Sequence, residues 1–371
     1  MPIGRKDMNK DSDHVVAVED AADTRPILII PYMWIGDFVR GHSVVRVLNQ
    51  RFPNRPVDLL TTTLCAPLVD YMPGVRAPII WDLPRKRLAV ARQFGLARIL
   101  RERNYATALV MPRTWKSALA PTLAAIPERV GFVGEARFGL INQLRWGEKA
   151  LPRFIDKNAA LALPDGAVRP PEWPVPQLNV PRADVMRFRQ ERGLGQNAAV
   201  ALAPGAVGPS KRWTYYPQVA KLLAERGLDV WVIGGPGEKA IAAEIVAAGG
   251  ERARDLTGTD LRNAILAMGA ASLALSNDSG LMHVAAAMGT PTIGIFGPTS
   301  PYHWAPLNGL AATILQSKES LPCQPCHLPV CKVKHHRCMR DIAVGDVVDV
   351  TSRVLAETGI AITNSSFRDG A

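Results

Sequence analysis

No run of roughly 18 apolar residues occurs in this chain, so a membrane-spanning helix is not expected. Aromatic residues are scarce, 6% against a hydrophobic fraction of 47%, which fits a soluble globular protein. The first two dozen residues hold no apolar segment, and a secretory signal is not expected there. Without secretion disulfides are disfavoured, so the five cysteines read as thiols or metal ligands. Two phosphate-handling signatures are also missing. No loop has the spacing of a P-loop with its Ser or Thr after the lysine. No Asp-x-Asp pair stands in a strand-end loop to hold a metal-bound diphosphate.

What is present is length and positive charge. A chain of 371 residues suffices for two ordinary α/β domains, each with its own core. The net charge of +11 is unevenly placed. Residues 1–24 hold Arg5, Lys6 and Lys10 against Asp7, Asp11, Asp13, Glu19, Asp20 and Asp23, a net −3 that leaves +14 for the body. This polar segment is expected to be a disordered lead-in. A basic body suits nucleic acid, an anionic membrane surface or an anionic substrate. The densest patch, PRKRLAVARQFGLARILRER at 84–103, has seven Lys or Arg and one Glu. Leu88, Phe94, Leu96, Ile99 and Leu100 give it an apolar face. It reads either as a surface helix with a solvated basic side or as a helix resting on an anionic membrane.

Strands alternate with helices along the chain. Apolar runs at 27–30, 57–63 and 105–112 are strands, and a helical pattern through Val44, Val45 and Leu48 follows the first. RPPEWPVPQLNVPR at 169–182 has five prolines and no helical period, so it reads as a linker. The pattern then restarts with strands at 198–205, 228–235, 271–278 and 291–298, separated or followed by helices near 214–226, 238–249, 260–269 and 279–288. This predicts an α/β protein of two doubly wound, Rossmann-like domains facing across a cleft. The expected domains are 25–172 and 186–345, with a linker at 173–185 and a C-terminal helix and tail at 346–371. Ligands bind beyond the carboxyl ends of such strands, and the strand ends here are small or polar.

Three of those ends carry chemistry. In SNDSGLMH, Asp278 or Ser279 can cap the helix that follows, but Ser279 and Gly280 also bare N–H groups where the helix dipole favours a phosphate. Asp278 would then accept sugar hydroxyls, with His283 one turn in. APGAVGPSKRW (203–213) is a flexible loop carrying Lys211 and Arg212, cations suited to a diphosphate leaving group. GGPGEK (234–239) offers Glu238 either to ribose hydroxyls or to the first turn of a helix. In the N-terminal domain, WIGDFV (34–39) sets Asp37 in a Gly turn, as a helix cap or as a general base facing the cleft.

Four cysteines, Cys323, Cys326, Cys331 and Cys338, fall in CQPCHLPVCKVKHHRC with His327, His335 and His336 among them. The C-x2-C-x4-C-x6-C spacing is a candidate structural zinc or cluster site, or a loop of packed thiols.

Taken together, WIGDFV, RTWKSALAP (113–121), IPERVGFVGEARFGLIN (126–142), PGAVGPSKRW, SNDSGLMHVAAAMGTP and LPCQPC…RCMRDI resemble the ADP-heptose:lipopolysaccharide heptosyltransferases, glycosyltransferase family 9. The resemblance covers roughly residues 25–355 and leans toward the branch that acts on the first inner-core heptose. It implies a GT-B fold and an inverting transferase that needs no cofactor or metal for catalysis. The donor would be ADP-heptose and the acceptor heptosyl-Kdo2-lipid A. By motif, Asp37 would be the base and Lys211 would neutralise the diphosphate. Gly205, Glu238, Asp278, Ser279, Gly280, Leu281 and His283 would hold the donor. Some relatives have hydroxyl residues where Ala206 and Val207 stand, so phosphate contact there must come from backbone N–H groups. On charge and position, Arg113, Lys116 and Arg137 would meet the anionic acceptor. A cytoplasmic enzyme, peripheral at the inner face of the bacterial inner membrane, is implied, with no nucleic-acid partner. Two alternatives stay open: a related GT-B transferase with another donor or acceptor, and a basic metal-containing nucleic-acid-binding protein. The second leaves the paired strand-end loops unexplained.

Overall fold

Short aliphatic runs such as Ile27–Ile30, in which all four side chains are buried, form strands covered on both faces. The computed structural model describes residues 23–84, 88–308 and 312–360. The lead-in up to residue 22, Arg85, Lys86 and Arg87 of the basic patch, and the tail from 361 lie outside the described residues.

The N-terminal half contains β1 (Ile27–Ile30), β2 (Val57–Thr61), β3 (Ala77–Ile80), β4 (Thr107–Val110), β5 (Glu128–Phe132) and β6 (Gln143–Arg145). The C-terminal half contains β7 (Ala199–Ala203), β8 (Asp229–Val232), β9 (Ala253–Asp255), β10 (Leu273–Asn277), β11 (Thr292–Ile295) and β12 (Ala312–Leu315). The sheet orders are β3-β2-β1-β4-β5-β6 and β12-β11-β10-β7-β8-β9. All pairings between these strands are parallel. Counted within its own half, each sheet has the Rossmann order 3-2-1-4-5-6, and its strand order reverses between β1 and β4 or between β7 and β10. These two switch points are where the crevices open.

The helix Val90–Glu102 of the basic patch buries Leu96 and Leu100 against the core, while Phe94 and Val90 stay exposed. The C-terminal helix Val344–Glu357 packs Val347, Val348 and Leu355 into the core of the second half.

The proline-rich crossing is pinned to both halves. Leu178 N–H donates to the Ala287 carbonyl at 2.9 Å, and Asn179 N–H to that of Tyr71 at 2.7 Å. Gln177 N–H donates to His42 Nδ1 at 2.9 Å, and His42 Nε2 donates to the Pro73 carbonyl at 2.8 Å. A further helix, Arg182–Glu191, begins within the stretch expected as linker.

The His42 ring is fully buried, and burial is the main cause pushing its pKa down to about 4. In the unfolded chain the imidazole takes its proton near 6.5. Between those values the unfolded state binds more protons, so stability falls as pH drops from about 6.5 towards 4. Thermal unfolding followed from pH 7 to pH 5 is expected to show that loss, and His42→Gln should flatten part of it. An unchanged slope would remove His42 from the account.

Candidate active site

The loop after β7 is fastened at both ends by one buried side chain. Asn277, at the end of β10, donates from Nδ2 to the Pro204 carbonyl at 2.7 Å, and its Oδ1 accepts from Trp213 N–H at 3.2 Å. Between these points Gly208 has φ of +93° and lies so close to Pro329 that a Cβ would stand 3.0 Å from its Cα. Ser210 N–H donates to the Pro329 carbonyl at 3.1 Å and its hydroxyl to that of Leu328. His336 Nε2 donates to the Ser210 carbonyl at 2.6 Å. The cysteine-rich segment thus clamps the loop that presents Lys211. Lys211 Nζ lies 2.7 Å from Asp278 Oδ2, which also accepts from the Thr299 hydroxyl at 2.7 Å. One Asp278 oxygen is therefore committed to holding the lysine, a use that its sequence position did not suggest.

The helix Gly280–Ala287 starts without a side-chain cap. Ser279 occupies the cap position in an extended conformation, but its hydroxyl lies 3.0 Å from that of Ser276. This corrects the capping expectation: among the described residues no side chain caps the first N–H groups of the helix, where the dipole favours an anion. His283 is buried, and its pKa is pushed well below the ordinary value by burial, then by Arg40 and Lys211. A neutral imidazole follows. Glu238 accepts from Gly235 N–H at 2.9 Å, so one oxygen serves the turn. Its carboxylate lies against Gly205, where a Cβ would come within 2.8 Å of Glu238 Cδ.

From the other half, the helix Ile35–Arg51 carries Asp37 in its first turn. The two helix starts touch through glycines. A Cβ on Gly36 would meet His283 Cδ2 at 2.8 Å, and one on Gly280 would meet Ile35 Cβ at 2.8 Å. Asp37 is 19% exposed and accepts from Arg40 Nη2 at 2.7 Å. Arg40 itself is buried. Sequence reading missed it, although its i,i+3 spacing from Asp37 was a usable signal.

Asp37, Gly205, Lys211, Glu238, Asp278, Ser279, Gly280, Leu281 and His283 all line one cleft of about 690 Å³ between the halves, with Arg40, Arg212 and Trp304. The three expected acceptor residues are not among its lining. Arg113 pairs with Glu148 at 2.9 Å and is half exposed. Lys116 donates to the Pro84 carbonyl at 3.1 Å. The expectation for Arg137 does not hold. It is fully buried and donates to the carbonyls of Pro112 and Phe132, so its guanidinium serves the fold behind the rim.

Cys323, Cys326, Cys331 and Cys338 line a cavity of about 60 Å³ with His335, whose Nε2 lies 3.8 Å from Cys323 Sγ. All are free thiols, and burial, then the neighbouring sulfurs, pushes Cys338 up to about 11. Among the described residues no group of three or more His, Cys, Asp or Glu is disposed to hold a metal ion. Of the two readings that the spacing leaves open, packed thiols are what the described residues show.

The profile of glycosyltransferase family 9 (heptosyltransferase) matches residues 93–336. Lipopolysaccharide heptosyltransferase 2 of Escherichia coli strain K12 is 35% identical over 305 residues, 78% of this chain and 87% of its own. Lipooligosaccharide heptosyltransferase 2 of Haemophilus ducreyi is 31% identical over 348 residues, 89% and 99% of the two chains. The solved E. coli ADP-heptose lipopolysaccharide heptosyltransferase II superposes with a TM-score of 0.79 at 31% identity, over 90% of this chain and 100% of that one. Fold and cleft are those of a GT-B glycosyltransferase. The chain belongs to glycosyltransferase family 9, the heptosyltransferases.

The glycine contact is testable without substrate. Gly36→Ala and Gly280→Ala are each expected to cost about 1–3 kcal/mol of stability by overpacking. Gly345→Ala, in the helix Val344–Glu357 with open space around it, should cost nothing. Equal behaviour of the three in denaturant titrations would show that the helix starts do not touch.

Proposed function

We propose that this enzyme moves heptose from ADP-heptose to the first heptose of the lipopolysaccharide inner core, with inversion at the anomeric carbon. One observation carries the reading: a carboxylate from one half and an uncapped helix start beside a lysine from the other face a single cleft. In the proposed step Asp37 takes the proton of the acceptor hydroxyl as its oxygen bonds to the anomeric carbon. The bond from that carbon to the diphosphate breaks, and its electron pair leaves with ADP. Lys211 and the N–H groups at Ser279–Gly280 absorb the growing charge, and Arg212 lines the same cleft. Asp278 holds Lys211 ready, and the diphosphate would compete with it for the cation. Glu238 has one carboxylate oxygen left for the ribose, while His283 is a neutral wall of the pocket. Arg113 and Lys116 stand outside the cleft lining, so any contact they make is with distal parts of the acceptor. No metal enters the reaction as proposed.

The proposal extends to peripheral contact with an anionic membrane on the cytoplasmic side. Among the described residues no helix is long and apolar enough to cross a membrane. Support comes from exposed Trp34, Leu64, Ile80, Trp115, Phe138 and Trp146, which end or follow the six strands of the first sheet. Positive charge at the same edge comes from Arg92 in the first turn of the helix Val90–Glu102 and Lys116 in the first turn of the helix Trp115–Leu123. An apolar rim beside basic residues suits an interface of anionic lipid.

Product analysis with ADP-heptose, UDP-sugars and a defined acceptor tests donor and acceptor together. Asp37→Asn should lose at least about two orders of magnitude in turnover, the range of a general base, while still binding ADP. Near-normal turnover would refute the base assignment. Vesicles containing phosphatidylglycerol should bind the protein in a salt-sensitive manner, and Phe138→Ser with Trp146→Ser should weaken that binding. Equal binding to neutral vesicles would sink the membrane reading.

A further inference from the structure

Arg40 takes no part in the step proposed above, yet its guanidinium is held from both halves of the molecule. The side chain is 2% exposed, with Nη2 on Asp37 Oδ1 at 2.7 Å and Nη1 donating to the His303 carbonyl at 3.1 Å. Its Cζ lies 4.5 Å from the ring centroid of Phe154 and 4.7 Å from that of Trp304. Asp37 and Phe154 belong to the first half, whereas His303 and Trp304 sit in the short helix Pro301–Trp304 of the second. Nε is buried without a hydrogen-bond partner. A cation so deeply buried, with one donor unsatisfied, is a poor way to gain stability. Its planar fork instead holds two acceptors in a fixed mutual geometry, which the rotatable ammonium of a lysine does not.

We propose that Arg40 is a positioning residue that makes alignment of the base conditional on apposition of the two halves. With the halves together, the His303 carbonyl and the Trp304 ring fix the guanidinium, and the guanidinium fixes the Asp37 carboxylate. With the halves apart, both second-half contacts are lost and the carboxylate is free to turn. Asp37 is then set for proton transfer only in the arrangement that also encloses the donor. This inference rests on the reading of Asp37 as the base.

A double-mutant cycle on the full-length enzyme tests it. Arg40→Met should lower kcat by at least about tenfold, the scale of loss that ångström-level misplacement brings. The KM for ADP-heptose should stay within about threefold, because the interaction is not with the donor. Arg40→Lys should remain close to Arg40→Met, and full rescue by lysine would mean that charge alone matters and would overturn the bridge. In an Asp37→Asn background, Arg40→Met should cost less than about twofold more, since residues acting as a unit are not additive. Additive losses would make Arg40 merely structural. Trp304→Leu, which removes the ring contact from the second half and leaves the His303 carbonyl, should lower kcat in the same direction with the same non-additivity with Asp37→Asn, and it carries the test if Arg40→Met fails to fold. Should Asp37→Asn itself turn over normally, the base reading fails. Should Asp37→Asn be inactive while Arg40→Met and Trp304→Leu keep full kcat, only the positioning role fails.

Discussion

The site depends on two helix starts meeting with no side chain between them. At Gly36 and Gly280 the backbones of the two halves come so close that a single methyl group on either would collide with its neighbour. Everything else in the cleft inherits its spacing from that contact. Asp37 lies one residue beyond the first glycine, and Ser279 one residue before the second. The distance between the Asp37 carboxylate and the N–H groups at Ser279–Gly280 is therefore set by covalent geometry on each side of the contact. Packing of this kind does not deform gradually, so the halves have a defined closed position.

A second constraint acts on the cation. Lys211 is carried by a loop with no regular structure beyond the short turn Pro209–Lys211, and such a loop would normally be loose. Asn277 ties both its ends to the sheet, and the segment 323–338 grips its middle through Ser210. Asp278 then holds the amine. The cysteine-rich stretch, which invites a metal reading from its spacing, has a visible mechanical use through the carbonyls of Leu328 and Pro329 and the ring of His336.

Most of the second half's share of the cleft was legible in the sequence because it rests on strand ends. A parallel strand buried on both faces reads as an unbroken apolar run, and where the run stops the ligand edge begins. β1, β2, β4, β7, β8, β10 and β11 were all visible in this way. The strands that escaped include β3, β6, β9 and β12, the four sheet edges, which are short or half exposed; β3 contains Pro78, and β6 and β9 carry charged residues. β5 was hidden by the Glu128 and Arg129 that open it. Arg40 and Arg137 mark the other limit. Both are arginines in a basic chain, and sequence alone does not separate a buried guanidinium bound to carbonyls from a solvated one. Arg137 was expected at the acceptor and is buried against carbonyls, whereas Arg40 was passed over and sits beside the proposed base.

The two sheets share one strand order, and this has a consequence for how labour is divided across the molecule. Counted within each half, Asp37 follows the first strand of one sheet and Lys211 follows the first strand of the other. The same architectural position has been given a carboxylate in one copy and an ammonium in the other. Both line the one cleft, so the group proposed to accept a proton and the group proposed to neutralise the leaving charge come from different halves. One strand order, used in both halves, presents opposite charges at matching points, and the asymmetry that transfer needs comes from the side chains placed on it.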